Sequence, residues 1–330
     1  METVARDLPA ETLHARTLAA LRARTDLLAA LHAEETDAYR LLHGVSEGVN
    51  GLTVDRYGPL LLAQEFRGTL APTQRLAIVA ALDAALPGMD VVWRPRGVVG
   101  PLSEVVEARE LGARYAIAAQ HRGQDPWLFL DFRCVRRWLR AHAADRSVLN
   151  LFGYTGTAAI AAALGGAREV WNVDFAASAL EVARDNLARN GVAERVRLLQ
   201  ADCLPVLRQL AGQNVQRRGK AVPFVTVARR TFDLVILDPP PLAKSPFGTV
   251  DTRTDYESLF KPALLATSPG GIILAANNRA DVAWADFERR LTRCAEKAGR
   301  PLSSLQRLLP EADFPSFDGE PPLKVALCGV

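Results

Sequence analysis

Two rhythms of apolar and polar positions divide the chain. From Pro9 to Leu42 the leucines at 18, 21, 28 and 31 share one broad face, and this spacing predicts helix. In "GLTVDRYGPLLLAQEF" two apolar runs flank Tyr57-Gly58-Pro59, the pattern of a hairpin. "PTQRLAIVAALDAALPG" predicts a helix closed by Pro87-Gly88, and "DVVWRP" and "RYAIAAQ" predict short strands. Residues 1–44 therefore read as a helical arm and 45–130 as a small mixed α/β domain. From Asp131 to the end, residues 131–330, strand and helix alternate. The strands are "SVLNLF", "EVWNVD", "RVRLLQAD", "FDLVILDPP" and "GGIILAANN". Among the helices, "SALEVARDNLARNG" has Ser178 as its candidate N-cap and stops at Asn190-Gly191. Near-continuous apolar strands alternating with helices predict a mostly parallel sheet with helices on both faces. Such sheets bind ligands beyond the carboxyl ends of their strands.

Composition narrows the setting. The 330 residues are 49% hydrophobic and 23% charged, as in a globular protein with a substantial core. No apolar run approaches the ~20 residues that span a bilayer, and the charged N-terminus is no secretory signal, so no membrane partner is expected. Cys134, Cys203, Cys294 and Cys328 lie far apart without metal spacing, which fits a reduced, cytoplasmic protein with no metal. A net charge of +3 is too small to argue nucleic-acid binding by itself.

The strand ends carry the chemistry. After the first strand, "NLFGYTG" (Asn150, Phe152, Gly153, Tyr154, Thr155, Gly156) is either a tight turn or a loop that lets backbone approach a ligand at a helix N-terminus. It lacks the GxGxxG dinucleotide fingerprint. Asp174, followed by Phe175, ends the second strand, where a carboxylate either accepts both ribose hydroxyls or caps the next helix. Asp202, followed by Cys203, ends the third; it either receives an adenine amine or caps. Asp238-Pro239-Pro240 ends the fourth, either as a structural turn or as a rigid carboxylate and carbonyl platform.

Taken together these ends resemble the class I S-adenosylmethionine-dependent methyltransferases. The resemblance implies a Rossmann-like methyltransferase sheet preceded by the small α/β domain and helical arm. It implies S-adenosyl-L-methionine held by Asn150, Phe152, Gly153, Tyr154, Thr155, Gly156, Asp174, Phe175, Asp202, Cys203 and Asp238. "LNLFGYTG", "DPPPLAKS", "LFLDFR", "GVNGLTVDRYG" and "LKVALC" further resemble the large-subunit ribosomal RNA methyltransferases that include the cytosine-5 enzyme I and the K/L guanine-N7 enzyme. That resemblance runs from about Tyr39 to Val330. Members often carry an N-terminal PUA domain, where this chain has a helical arm. Cytosine-5 members have a nucleophilic cysteine shortly after the fifth strand; this chain has Asn277-Asn278. Carbon-5 methylation needs a thiolate adduct, whereas a ring nitrogen has its own lone pair. The resemblance thus implies direct methyl transfer to a base nitrogen, with Asp238, Pro239, Pro240 and Asn277 orienting the base.

RNA, ribosomal in the first instance, is the expected partner, and a homodimer is compatible with the sequence. Arg133, Arg136, Arg137 and Arg140 fall on one stripe of "DFRCVRRWLRAH", opposite Val135, Trp138 and Leu139, with no acids beside them. The stripe is either a solvated face or a phosphate contact. Arg217 and Arg218 lie in a basic insertion, residues 212–231, read as a loop or hairpin. Lys244 and Asn278 complete the expected RNA contacts. Three rivals stand beside this reading: a small-molecule or protein methyltransferase, a non-catalytic RNA-binding relative, and a nicotinamide oxidoreductase.

Overall fold

The computed structural model describes residues 4–123, 125–216 and 224–330. It divides into two compact units, Met1–Arg133 with Glu311–Gly319, and Cys134–Pro310 with Glu320–Val330.

The first unit begins with α1 (Ala10–Ala23) and α2 (Thr25–Ala33), followed by β1 (Ala38–Leu42). The hairpin β2 (Leu52–Tyr57) and β3 (Leu60–Glu65) forms as predicted, and α3 (Pro72–Asp83) leads to β4 (Val91–Pro95). These strands make one sheet in the order β1-β2-β3-β4, antiparallel except for the β3–β4 pair that α3 connects. A separate hairpin joins β5 (Val105–Glu110) to β6 (Ala113–Ala118). Leu13, Leu21 and Leu31 of the arm share a core with Leu41, Val54, Ile78 and Leu82, so arm and sheet are one body.

The helix expected to run to Leu42 stops at Ala33, and Ala38–Leu42 is a strand. Leu41 and Leu42 are both buried, and an adjacent apolar pair does not distinguish a buried strand from helix by period alone. β5 was not expected, because "VVEARE" exposes Val105 and carries three charges.

The second unit runs through α4 (Arg133–His142, its first residue counted with the first unit), β7 (Ser147–Leu151), α5 (Thr157–Leu164), β8 (Glu169–Asp174), α6 (Ala177–Arg189), β9 (Val196–Gln200) and α7 (Cys203–Leu210). It continues with β10 (Phe232–Leu237), a hairpin of β11 (Leu242–Ser245) and β12 (Gly248–Asp251), α8 (Glu257–Leu265), β13 (Thr267–Asn277), α9 (Trp284–Lys297), β14 (Ser304–Leu308) and β15 (Lys324–Gly329). The sheet order is β14-β15-β13-β10-β7-β8-β9. All five predicted strands are present and parallel, while β15 pairs antiparallel with β13 and β14. Strand order reverses between β7 and β10, so their carboxyl ends open the crevice where such sheets bind ligands.

Ser178 is not the cap of α6: the helix starts at Ala177 behind Ala176, whose N–H bonds to Asp174. In the basic insertion, residues 224–231 form no hairpin; Gln209 fastens this stretch through Val225 and Val227. Arg217 and Arg218 lie outside the described residues.

Candidate functional site

The loop after β7 is held in an unfavourable backbone. Phe152 and Tyr154 have φ of 57° and 45°, in the left-handed region that costs a non-glycine residue of order 1 kcal/mol or more. Buried partners hold it there. The Phe152 N–H points to Cys203 Sγ at 3.2 Å, and the Tyr154 N–H to Asp174 Oδ2 at 2.9 Å. Asn186 Nδ2 donates to Thr155 O at 3.2 Å. Beneath the loop, Asn150 and Asn172 stand opposite each other on β7 and β8, and Asn150 Nδ2 donates to Asn172 Oδ1 at 2.7 Å. A Cβ on Gly153 would lie 2.2 Å from that same Oδ1, so only glycine passes over Asn172.

Two carboxylates border the loop. Asp174 is buried, its Oδ1 accepting from Ala176 N–H and its Oδ2 from Tyr154 N–H, both at 2.9 Å. Burial raises its pKa above the usual carboxylate value, against the backbone N–H groups that bond to it. Phe175 beside it is 66% exposed, an open aromatic face at the strand end. Asp202 fills one of its two expected roles, the cap. Its Oδ1 caps α7 through the Leu204 N–H at 2.9 Å, while its Oδ2 is buried without a hydrogen-bond partner among the described residues. A buried acceptor without a donor is costly, and an adenine amine would satisfy it. The close-approach glycine and this orphaned oxygen fit an adenosine cofactor. Cys203 is a strut: it is buried, and burial pushes its thiol pKa well up.

Just beyond β10, Asp238 is half-buried, Pro239 buried and Pro240 exposed. The β11–β12 hairpin follows at once and presents Lys244 to solvent. Thr252 closes the hairpin, its N–H and Oγ1 both donating to Pro241 O at 3.1 Å. Asn277 does not present its amide to a base. It is buried, its Nδ2 donates to Thr252 O at 3.2 Å, and its Oδ1 accepts from the Arg279 N–H at 3.1 Å. Asn278, the next residue, is the exposed amide. Two positioning residues escaped sequence reading. The buried Tyr256 hydroxyl donates to Ala276 O at 2.9 Å and lies 3.4 Å from Leu237 O, tying the ends of β13 and β10. The buried Lys324 Nζ donates to Arg279 O at 2.6 Å and Pro322 O at 3.1 Å, fixing the loop beyond β13. Tyr256 sits in no recognisable motif, and Lys324 lies within "LKVALC" but meets Arg279 O only through the fold.

The arginine stripe is corrected. Arg133 and Arg136 are buried, and Arg137 and Arg140 are only partly exposed, so the four do not form one phosphate-facing surface. Arg133 forks onto Asp313 at 3.1 and 2.9 Å, and meets Glu110 at 3.3 Å, Glu311 at 3.2 Å and Ala38 O at 2.8 Å. The acids that looked absent beside it come from distant parts of the chain. Among the described residues no group of His, Cys, Asp and Glu could hold a metal ion, and no helix is long and apolar enough to cross a membrane.

Known proteins resemble this chain in sequence and fold. Residues 96–328 match the family described as S-adenosylmethionine-dependent methyltransferase. A ribosomal RNA large subunit methyltransferase of Deinococcus radiodurans is 32% identical over 305 residues, spanning 87% of this chain and 71% of that protein. Ribosomal RNA large subunit methyltransferase I of Klebsiella pneumoniae is 28% identical over 297 residues, 84% of this chain and 70% of that protein. A methyltransferase crystallised with S-adenosylhomocysteine superposes with a TM-score of 0.81 at 25% identity, over 98% of this chain and 82% of that one. On the span of that family match, and on the likeness of these relatives, the chain belongs to the S-adenosylmethionine-dependent methyltransferase family.

Proposed function

We propose that the protein methylates a nucleobase nitrogen of RNA, with ribosomal RNA as the substrate, and forms no cysteine adduct. S-adenosylmethionine supplies an electrophilic methyl group. The glycine loop, Asp174, Phe175 and Asp202 would hold it, as their chemistry fits. Asp238 and the carbonyls of the stiff Pro239-Pro240 segment accept hydrogen bonds from a base, and Asn278 offers an exposed amide beside them. A ring nitrogen brings its own lone pair, so the protein has only to orient the base and exclude water. Lys244, Arg137 and Arg140 remain candidate phosphate contacts.

The relatives named for ribosomal RNA support the substrate class, since their likeness spans most of this chain. The observation that carries the direct mechanism is the state of the thiols. All four cysteines are buried, and burial drives the Cys328 thiol up to about 12. Such thiols are poor nucleophiles. Mass mapping of ribosomal RNA nucleosides from a deletion strain should show one N-methylated base missing. Loss of 5-methylcytidine instead would overturn the choice of atom. RNA bearing 5-fluorocytosine should form no stable adduct; an adduct abolished by replacing one cysteine with serine would restore the covalent route.

A further inference from the structure

The first unit carries a basic and apolar surface that none of the site residues uses. At the end of β3, Phe66 is 39% exposed and Arg67 beside it is exposed. The Arg96 N–H donates to Glu65 O at 2.7 Å, which sets the end of β4 against Phe66. Gln64, Glu65, Phe66, Arg94, Pro95 and Arg96 line a cavity of about 310 Å³. The loop after Arg96 exposes Val98, Val99 and Leu102 at 47%, 54% and 58%. Buried Arg94 binds Ala119 O and Gly123 O, which brings exposed Arg122 to the same end of the sheet.

Charge selects the occupant. Arg67, Arg96 and Arg122 are exposed, and none makes an ion pair among the described residues. Glu65 is buried and already taken by Arg75 at 2.7 Å, leaving Glu104 as the exposed acid of these loops. Three unneutralised guanidinium groups around an exposed phenyl ring and a cavity are the two elements that grip single strands, backbone cations and a stacking face. A paired duplex keeps its bases stacked and would not use Phe66.

We infer that this end of the β3–β4 sheet is a docking surface for single-stranded RNA. Arg67, Arg96 and Arg122 contact phosphates, and an unpaired base stacks on Phe66 at the mouth of the cavity. The inference rests on the RNA reading above, and the experiment separates the two.

Oligouridylate and a hairpin-free segment of ribosomal RNA are titrated into the full chain across a salt series, with a duplex RNA as control. The R67Q/R96Q/R122Q variant should bind at least tenfold more weakly at low salt. Its log–log salt slope should fall by about 0.7 for each lost contact. F66A should weaken single-strand binding about tenfold with an unchanged slope. Calorimetry with S-adenosylhomocysteine should give wild-type affinity in both variants, showing that they fold. If the wild type binds no RNA, the RNA reading falls and the surface falls with it. If it binds RNA but the triple variant does so equally well with the same slope, only the surface is overturned. Equal loss on duplex RNA in F66A would refute base stacking. A change of oligomeric state with RNA binding intact would assign the surface to a protein contact instead.

Discussion

Gly153 and Asn172 act as one fitting, and the pair can be tested as one. G153A should weaken S-adenosylhomocysteine binding more than tenfold in calorimetry, because its methyl would displace Asn172. N172A should cost less, and the G153A/N172A double variant should recover most of the loss. Simple additivity would refute the interlock. Asp174 makes a second test. Removing a charge-assisted acceptor by D174A should cost about 1.5–3 kcal/mol of cofactor affinity. Its pKa is raised by burial, and ribose hydroxyls donate to the charged form. Cofactor affinity should therefore begin to fall, on acidification, above the ordinary carboxylate range, and D174N should flatten that dependence. The strand-end positions of Gly153, Asp174 and Asp202 were legible because strand, glycine and acid are close in sequence. Asn172 was not, since it lies inside an apolar strand and acquires meaning only through the β7–β8 register. Asn277 was misassigned to the base because its adjacent twin Asn278 is chemically identical; only the folded strand end shows which of them turns inward.

At the level of elements, α4 carries a structural arginine where the stripe suggested a phosphate contact. Arg133 is fully buried among three acids, so R133Q should destabilise the protein by about 3–5 kcal/mol in urea unfolding by leaving those charges unpaired. A stable R133Q protein with weakened RNA binding would contradict the structure. Tyr256, the residue that leads into α8, makes the corresponding test. Y256F leaves the Ala276 carbonyl without its donor and should cost about 1–3 kcal/mol. Because it ties the ends of β10 and β13, kcat should fall while KM for the cofactor stays near wild type. The alternating strands of the second unit were legible because each is a short apolar run between helix signals. The β1 strand was not, as its leucines continue the helical period of the arm. The balance of charge on α4 was invisible for a different reason: its counterions are 23, 178 and 180 residues away.

Across the whole molecule, stability should depend on acid through His43. Burial and the neighbouring Arg40 lower its pKa from 6.5 to about 4, so it is neutral in the fold and charges more readily when unfolded. Its contribution is complete above pH 6.5 and is lost as pH falls from there towards 4. Urea midpoints measured across that window should fall for the wild type and stay flatter for H43N. The His43 ring meets Phe314, which belongs to the segment Glu311–Gly319. That segment leaves the second unit between β14 and β15, yet completes the first. Its Asp313 holds Arg133 and the Arg40 N–H, and Ser46 donates to Pro315 O. A gene fragment ending at residue 133 would thus encode the buried cation with Glu110 but without Glu311 and Asp313, two of its three carboxylate partners. The small unit cannot be traded between proteins as an uninterrupted cassette. Recombination that moved it would have to carry a second, distant stretch of the gene as well.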